Sequence, residues 1–270
     1  MKSRFLTYAS NGFEHNAQFL AESAAKVGFD VVHSLGPDAI AGTNFAQLNG
    51  DILRAKRGGG YWLWKPYLIR RYVDRLADGE VLFYCDAGRN NYYRFSRFPG
   101  HLADRALQSV QGFIPGVAIG HLGSIGKWTK RDCLQIMGAD TASIYEKPMV
   151  QATWSVWTKS GATVEFLEAW LRYSQDPRCI TDQPNTLGKE NLPGFVDHRH
   201  DQSICSILAY QLSAPFIDPS GTVAQKLLRL RPGSAVANLF YKRPENVDDM
   251  LQRDSPWLPV QEFLSLRKQQ

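Results

Sequence analysis

Two short strings hold most of the residues suited to chemistry. VLFYCDAG, residues 81–88, is a run of five apolar or aromatic side chains ending in a carboxylate, Asp86, with Gly88 two residues on. An unpaired buried carboxylate is costly, so Asp86 either surfaces at a strand end or has a partner. Asp-x-Gly is also turn chemistry, and that plainer role stands beside the functional one. A hard divalent cation takes oxygen ligands, and Mg²⁺ or Mn²⁺ is commonly shared between carboxylates and a ligand's phosphates. Asp86 is a candidate for that work. The second string, DHRHDQS at 197–203, sets His198 and His200 on either side of Arg199. In extended backbone both rings then point the same way. Asp201 and Gln202 follow, and Asp201 suits either an N-cap or a proton-transfer group. A cap alone leaves the crowding of His198, Arg199 and His200 unexplained, and such crowding of titratable groups favours a site.

A third string, GGGYWLWKP at 58–66, has three glycines that permit close backbone approach, then Lys65 just before Pro66. Free N–H groups at a helix start favour anions, so Lys65 is a candidate phosphate partner. The G-x-x-x-x-G-K-[ST] spacing of a nucleotide-triphosphate loop is absent. Trp62 and Trp64 read as core aromatics after a turn.

The elements that must position these residues alternate. RFLTYAS (4–10) reads as a strand, 14–28 as a helix stopping at Gly28, and FDVVHS (29–34) as a second strand. That series predicts a right-handed parallel βαβ unit. A helix beginning around Pro66 puts Leu68, Ile69, Tyr72, Val73 and Leu76 on one face, and 81–85 is the next strand. Further on, 149–161 reads as one strand, 162–175 as a helix, 176–195 as a long ordered loop or a mobile lid, and 201–212 as a helix. VAQKLLRLR, within the last fifty residues, is a strand candidate. No repeat or linker divides the chain, so residues 1–270 are expected to form one α/β domain.

Composition narrows the classes. The chain has 270 residues, 44% hydrophobic and 21% charged, as in an ordinary globular protein with one large core. The four cysteines, Cys85, Cys133, Cys179 and Cys205, form no C-x-x-C pair, which argues against structural zinc and a disulfide framework. The net charge of +5 suits acidic partners such as nucleotides or an anionic membrane surface, allowing peripheral association. Basic residues are scattered, so no nucleic-acid stripe is expected. No apolar run is long enough to span a bilayer, and MKSRFLTYAS has none suited to a signal peptide, so a cytoplasmic protein is expected.

TYAS, GYWLWKPYLI, VLFYCDAG and HRHDQS, in that order, resemble nucleotide-diphospho-sugar transferases of the GT-A glycosyltransferase fold, over roughly residues 4–212. The resemblance implies a Rossmann-type, mainly parallel central sheet flanked by helices. It also implies a UDP-sugar or related donor and a glycan or glycolipid acceptor. In such enzymes an Asp-x-Asp at a strand end holds a divalent metal that grips the diphosphate. Asp86 matches the first position, but Gly88 stands where the second Asp is usual, so a metal (Mn²⁺ or Mg²⁺) needs another ligand such as His198 or His200. Carried over residue by residue, Tyr8 and Ser10 lie near the base and ribose, Lys65 near the phosphates with Asp86 and Gly88, and Gln151 along the sugar or acceptor pocket. Asp201 and Gln202, with His200 beside them, match the catalytic end near the transferred sugar.

Two other readings compete. A metal-dependent hydrolase built on His198, His200 and Asp201 resembles the H-x-H-x-D-H string of metallo-β-lactamase-like hydrolases. Here, however, Asp directly follows the second His, and no His comes after it. A non-catalytic nucleotide-sugar-binding module would use its aromatics as sugar platforms.

Overall fold

The computed structural model describes residues 1–88, 94, 95 and 97–218 of the chain. The strand candidate VAQKLLRLR lies outside them. The strands are β1 (Ser3–Tyr8), β2 (Val31–Leu35), β3 (Val81–Cys85), β4 (Phe113–Ile114), β5 (Val117–Ala118), β6 (Val150–Gln151) and β7 (Trp154–Trp157). The longer helices are α1 (Glu14–Lys26), α2 (Trp64–Val73), α3 (Gly100–Gln108), α4 (Gly161–Ser174) and α5 (Asp201–Gln211). The main sheet has five strands in the order β2-β1-β3-β7-β4, and β5 and β6 form a separate pair. β2, β1 and β3 are parallel; β7 runs against β3 and β4, so four of the five strands point one way. This is the expected α/β architecture, with a mainly parallel sheet flanked by helices.

All five residues of β3 are buried, as an apolar run between two neighbours requires. Each large apolar side chain so buried contributes about 1.5–3 kcal/mol. Phe29 packs against Phe5 of β1 and Phe83 of β3, at centroid distances of 5.5 and 5.1 Å, and so locks the parallel strands together.

One expected strand is two. The 149–161 stretch breaks at Ala152 and Thr153, and its halves belong to different sheets. The break has a purpose visible in the hydrogen bonds. The Thr153 carbonyl accepts from the Asp86 N–H at 2.8 Å, and the Ala152 carbonyl accepts from Lys65 Nζ at 3.3 Å. The first bond extends the β3–β7 register, in which Cys85 faces Trp154, and the Ala152 carbonyl leaves the ladder for Lys65.

Helix packing completes the scaffold. α2 packs on α4, and α4 packs on α5. Ser160 caps α4 by accepting from Thr163 N at 3.0 Å. Trp170 of α4 donates its indole N–H to the Asp201 carbonyl at 3.0 Å, pinning the first residue of α5. Pro66 stands in the first turn of α2, where its missing N–H breaks no helical bond. The 176–195 stretch opens with a short helix, Pro177–Ile180, and continues as an ordered loop. Asp132, fully buried, accepts from Thr186 N at 2.7 Å and Leu187 N at 3.1 Å, while Lys130 Nζ donates to Gln183 O at 2.7 Å.

Candidate functional site

β2 and β3 flank β1 on opposite sides, which makes the carboxyl ends of β1 and β3 the switch point of the sheet. Open α/β sheets bind ligands in the crevice at such a point. Asp86 follows β3 there, and Ser10 follows β1. Behind Asp86 lies a buried triad. Lys65 Nζ sits 2.8 Å from Asp201 Oδ2 and 3.1 Å from Asp86 Oδ1. With the Ala152 carbonyl, these carboxylates occupy all three ammonium donors. Tyr84, two residues before Asp86 on the same strand face, donates its hydroxyl to Asp86 Oδ1 at 2.5 Å. The Lys65 ammonium also lies 5.6 Å from the centre of the Tyr84 ring.

The three charged side chains differ in access. Asp86 is 24% exposed, against 3% for Lys65 and 5% for Asp201. Asp86 faces the crevice, and Asp201 grips Lys65 from the protein side. Burial pushes the Asp201 carboxyl up to about 6; Lys65 opposes that shift and the Asp86 charge adds to it. For Lys65, burial works to lower the pKa, but the charges of Asp201 and Asp86 outweigh it and hold the ammonium protonated. Burial and the Asp86 charge keep Tyr84 a phenol well above neutral pH, so it is a permanent donor.

Asp201 is not the N-cap. His200 occupies that position without a capping side chain, and Asp201 is the first residue of α5. Its negative charge still suits a helix N-terminus.

The glycine run does more than permit close approach. Gly58, Gly59, Gly60, Tyr61 and Trp62 all have positive φ (58, 56, 97, 53 and 59°), a left-handed turn that glycine adopts freely and the two aromatics do not. A Cβ on Gly59 would lie 2.5 Å from Ser10 Oγ, so the turn seats directly on the loop after β1. Tyr61 and Trp62 pack on His200, at centroid distances of 4.8 and 5.7 Å, and His200 itself has φ 52°. Backbone strain of this kind clusters at functional sites, and here it surrounds one crevice. Arg57 ties the turn to the loop before α5 by pairing with Asp197 at 2.6 Å and Asp182 at 3.2 Å. Gly60→Ala is expected to lower stability by about 1–3 kcal/mol. Its φ is +97°, and a Cβ would lie 2.7 Å from Leu53 Cα. A urea midpoint equal to that of the wild type would mean the turn is not left-handed.

The other expected residues fall around this centre unevenly. Tyr8 is 4% exposed, with its ring 4.0 Å from that of Trp64, so it serves as packing below the crevice. Ser10 is half-buried at the rim. The Gly88 carbonyl accepts from Asn16 Nδ2 at 2.9 Å. Gln151 is half-buried beside the Ala152 carbonyl that holds Lys65, and Gln202 is half-buried on the first turn of α5. His198 and His200 both point inward, as their alternation about exposed Arg199 predicts. They meet backbone there. His198 pairs Nε2 with Cys179 O at 2.7 Å and Nδ1 with the Lys130 N–H at 3.3 Å, while His200 Nδ1 pairs with Ile180 O at 2.7 Å. Burial is the main cause that lowers the pKa of both and keeps the rings neutral.

A divalent metal does not fit the described residues. Lys65 and Tyr84 already hold Asp86, both ring nitrogens of His198 are engaged, and no group of three His, Cys, Asp or Glu side chains among the described residues is arranged to hold an ion. His198, expected to join Asp86 on a metal, instead fastens the segment before α5 to the Cys179 carbonyl. The same engagement removes His198 from the hydrolase constellation, and Asp201 is turned to Lys65 at 2.8 Å, which leaves only Nε2 of His200 without a hydrogen-bond partner.

Tyr84 was missed by the sequence reading, which treated it as strand core. Its signal was the period-two spacing from Asp86, which puts both side chains on one face.

Fold and site together define a mixed α/β protein with a buried Asp-Lys-Asp triad at the switch point of its sheet. No protein-family model and no curated protein matches the chain. Among solved structures, the chain is similar to one described as "WbbM bifunctional glycosytransferase apo structure", with a TM-score of 0.46 and 12% identity, over 80% of this chain and 38% of that one. At that level of similarity any functional reading rests on the site's own residues. No described helix is long and apolar enough to cross a membrane.

Proposed function

We propose that the protein is a glycosyltransferase that moves a sugar from a nucleotide-diphospho-sugar, with UDP as the first nucleotide to test, to a hydroxyl of a glycan or glycolipid. The observation that carries this reading is the junction of three sequence-distant strings at one crevice: Lys65 from the glycine-rich turn and α2, Asp86 from the end of β3, and Asp201 from the start of α5. These are the strings whose order resembles sugar-nucleotide transferases.

The chemistry asks for a proton acceptor near the incoming hydroxyl and for restraint of charge near the departing diphosphate. In transfer, the acceptor oxygen bonds to the anomeric carbon as the bond to the diphosphate oxygen breaks. The diphosphate keeps the electron pair, and the acceptor's proton passes to a carboxylate. Asp86 is the carboxylate that faces the crevice, held in place by Tyr84 and Lys65. Asp201 positions Lys65 from behind. Ser10, Gly88, Gln151 and Gln202 lie around the same opening and are the candidate contacts for nucleotide and sugar.

The test is a thermal-shift screen of the full chain against UDP-, GDP-, CMP- and dTDP-sugars, followed by detection of nucleotide released in the presence of glycan acceptors. One donor class is expected to raise Tm, and its nucleotide to be released only when acceptor is present. Stabilisation without release under any donor and acceptor pair would make the protein a binding module. No stabilisation by any donor would sink the transferase reading.

A further inference from the structure

Resting on the transferase reading, we propose that Lys65 is the resident cation of this site and that a nucleoside diphosphate binds there without a divalent metal. A divalent ion at Asp86 requires a free carboxylate oxygen at roughly 2.0–2.6 Å and several further oxygen ligands. The second condition is not met among the described residues. Asp86 Oδ1 already receives the Tyr84 hydroxyl at 2.5 Å and lies 3.1 Å from the Lys65 ammonium, which also reaches Oδ2 at 3.4 Å. Asp201, the other carboxylate of the cluster, is buried and turned to the same ammonium at 2.8 Å. Gly88 replaces the carboxylate that would complete a metal pair, and the sequence from 88 to 97, GRNNYYRFSR, contains no acid and three arginines.

Lys65 cannot make room. Its side chain is 3% exposed, and its third donor is fixed by the Ala152 carbonyl at 3.3 Å. An ion at Asp86 would therefore face a fixed positive charge within a few ångströms, inside a low-dielectric wall where like charges repel strongly. The ammonium supplies instead what a metal would supply electrostatically. Its single positive charge offsets one of the two carboxylates before the anionic donor arrives, so the donor meets charges already arranged.

The experiment titrates three probes into the full chain by calorimetry: MnCl₂ alone, UDP in EDTA, and UDP with MnCl₂. GDP replaces UDP if the donor screen selects a GDP-sugar. Wild type is expected to show no saturable Mn²⁺ binding, and nucleotide affinities in EDTA and in Mn²⁺ that agree within about twofold. Lys65→Met releases both carboxylates and is expected to create an Mn²⁺ site absent from the wild type. Saturable Mn²⁺ binding by the wild type that is lost in Asp86→Asn overturns the proposal. So does nucleotide affinity that rises tenfold or more with Mn²⁺, although the transferase reading then stands. Failure of every nucleotide to bind in both conditions overturns both readings. If Lys65→Met does not fold, the wild-type titrations decide.

Discussion

Lys65→Met is expected to lower stability by about 3–5 kcal/mol at pH 8, the scale for removing one partner of a buried charge pair. Methionine fills the lysine's path, so packing changes little; what remains is Asp201, buried and charged without its cation. The pH dependence separates charge from packing. In the wild type the Asp201 carboxyl is raised from 3.8 to about 6 by burial, even with Lys65 beside it. Without Lys65 it rises further. A carboxyl whose folded pKa exceeds its unfolded value favours the folded state at low pH, and that contribution is lost as pH climbs through the folded value. The variant should therefore recover most of its deficit at pH 5, where Asp201 takes up a proton. Urea titrations of both proteins at pH 5 and pH 8 make the comparison. Equal losses at the two pH values would show that Lys65 stabilises through its aliphatic stem alone.

Asp86→Asn is expected to reduce transfer by about 10²-fold or more, the scale of losing a positioned proton-transfer group. Its stability should stay within about 1 kcal/mol of wild type, because Asp86 is partly exposed and Lys65 keeps Asp201 as its counter-charge. Asp201→Asn is the contrasting variant. Its side chain is 5% exposed and directed at Lys65, so transfer should fall by no more than about tenfold. Its clearer signature is in stability. Measured against the Asn variant, wild type should lose stability as pH rises from about 4 to 6, the interval between the unfolded and folded pKa of Asp201; the contributions of His198 and His200 are common to both proteins and cancel in the difference. Turnover of both variants on the donor found by screening, with urea midpoints across that interval, tests the division of roles. A hundredfold loss in Asp201→Asn together with near-normal transfer in Asp86→Asn would reverse it.

Much of the scaffold was legible because local pattern and burial coincide. The apolar run 81–85 became β3 with its expected bounds, and the amphipathic stretches at 14–28, 162–175 and 201–212 became helices within two residues of their expected ends. The carboxylate closing VLFYC had to surface or be paired, and it does both: Asp86 is partly exposed and bonded to Lys65 and Tyr84. Alternation about Arg199 correctly sent His198 and His200 to one side.

What lay beyond reach depended on contacts between residues far apart in the chain. Lys65 and Asp201 are 136 positions apart, and no local pattern shows that one ammonium bridges Asp201 and Asp86. The packing of α2 on α4 and of α4 on α5 decided that. The same packing turned Lys65 inward and changed a candidate phosphate contact into the centre of an ion triad. Spacing also suggested histidine ligands, whereas the carbonyls of Cys179 and Ile180, brought alongside by the fold, took up the rings. Residue types determined that a charged site would form at a strand end, because carboxylates and lysine cannot be buried without partners. Tertiary structure alone decided which partners they found, because pairing energy depends on distances of a few ångströms that the order of residues along the chain does not specify.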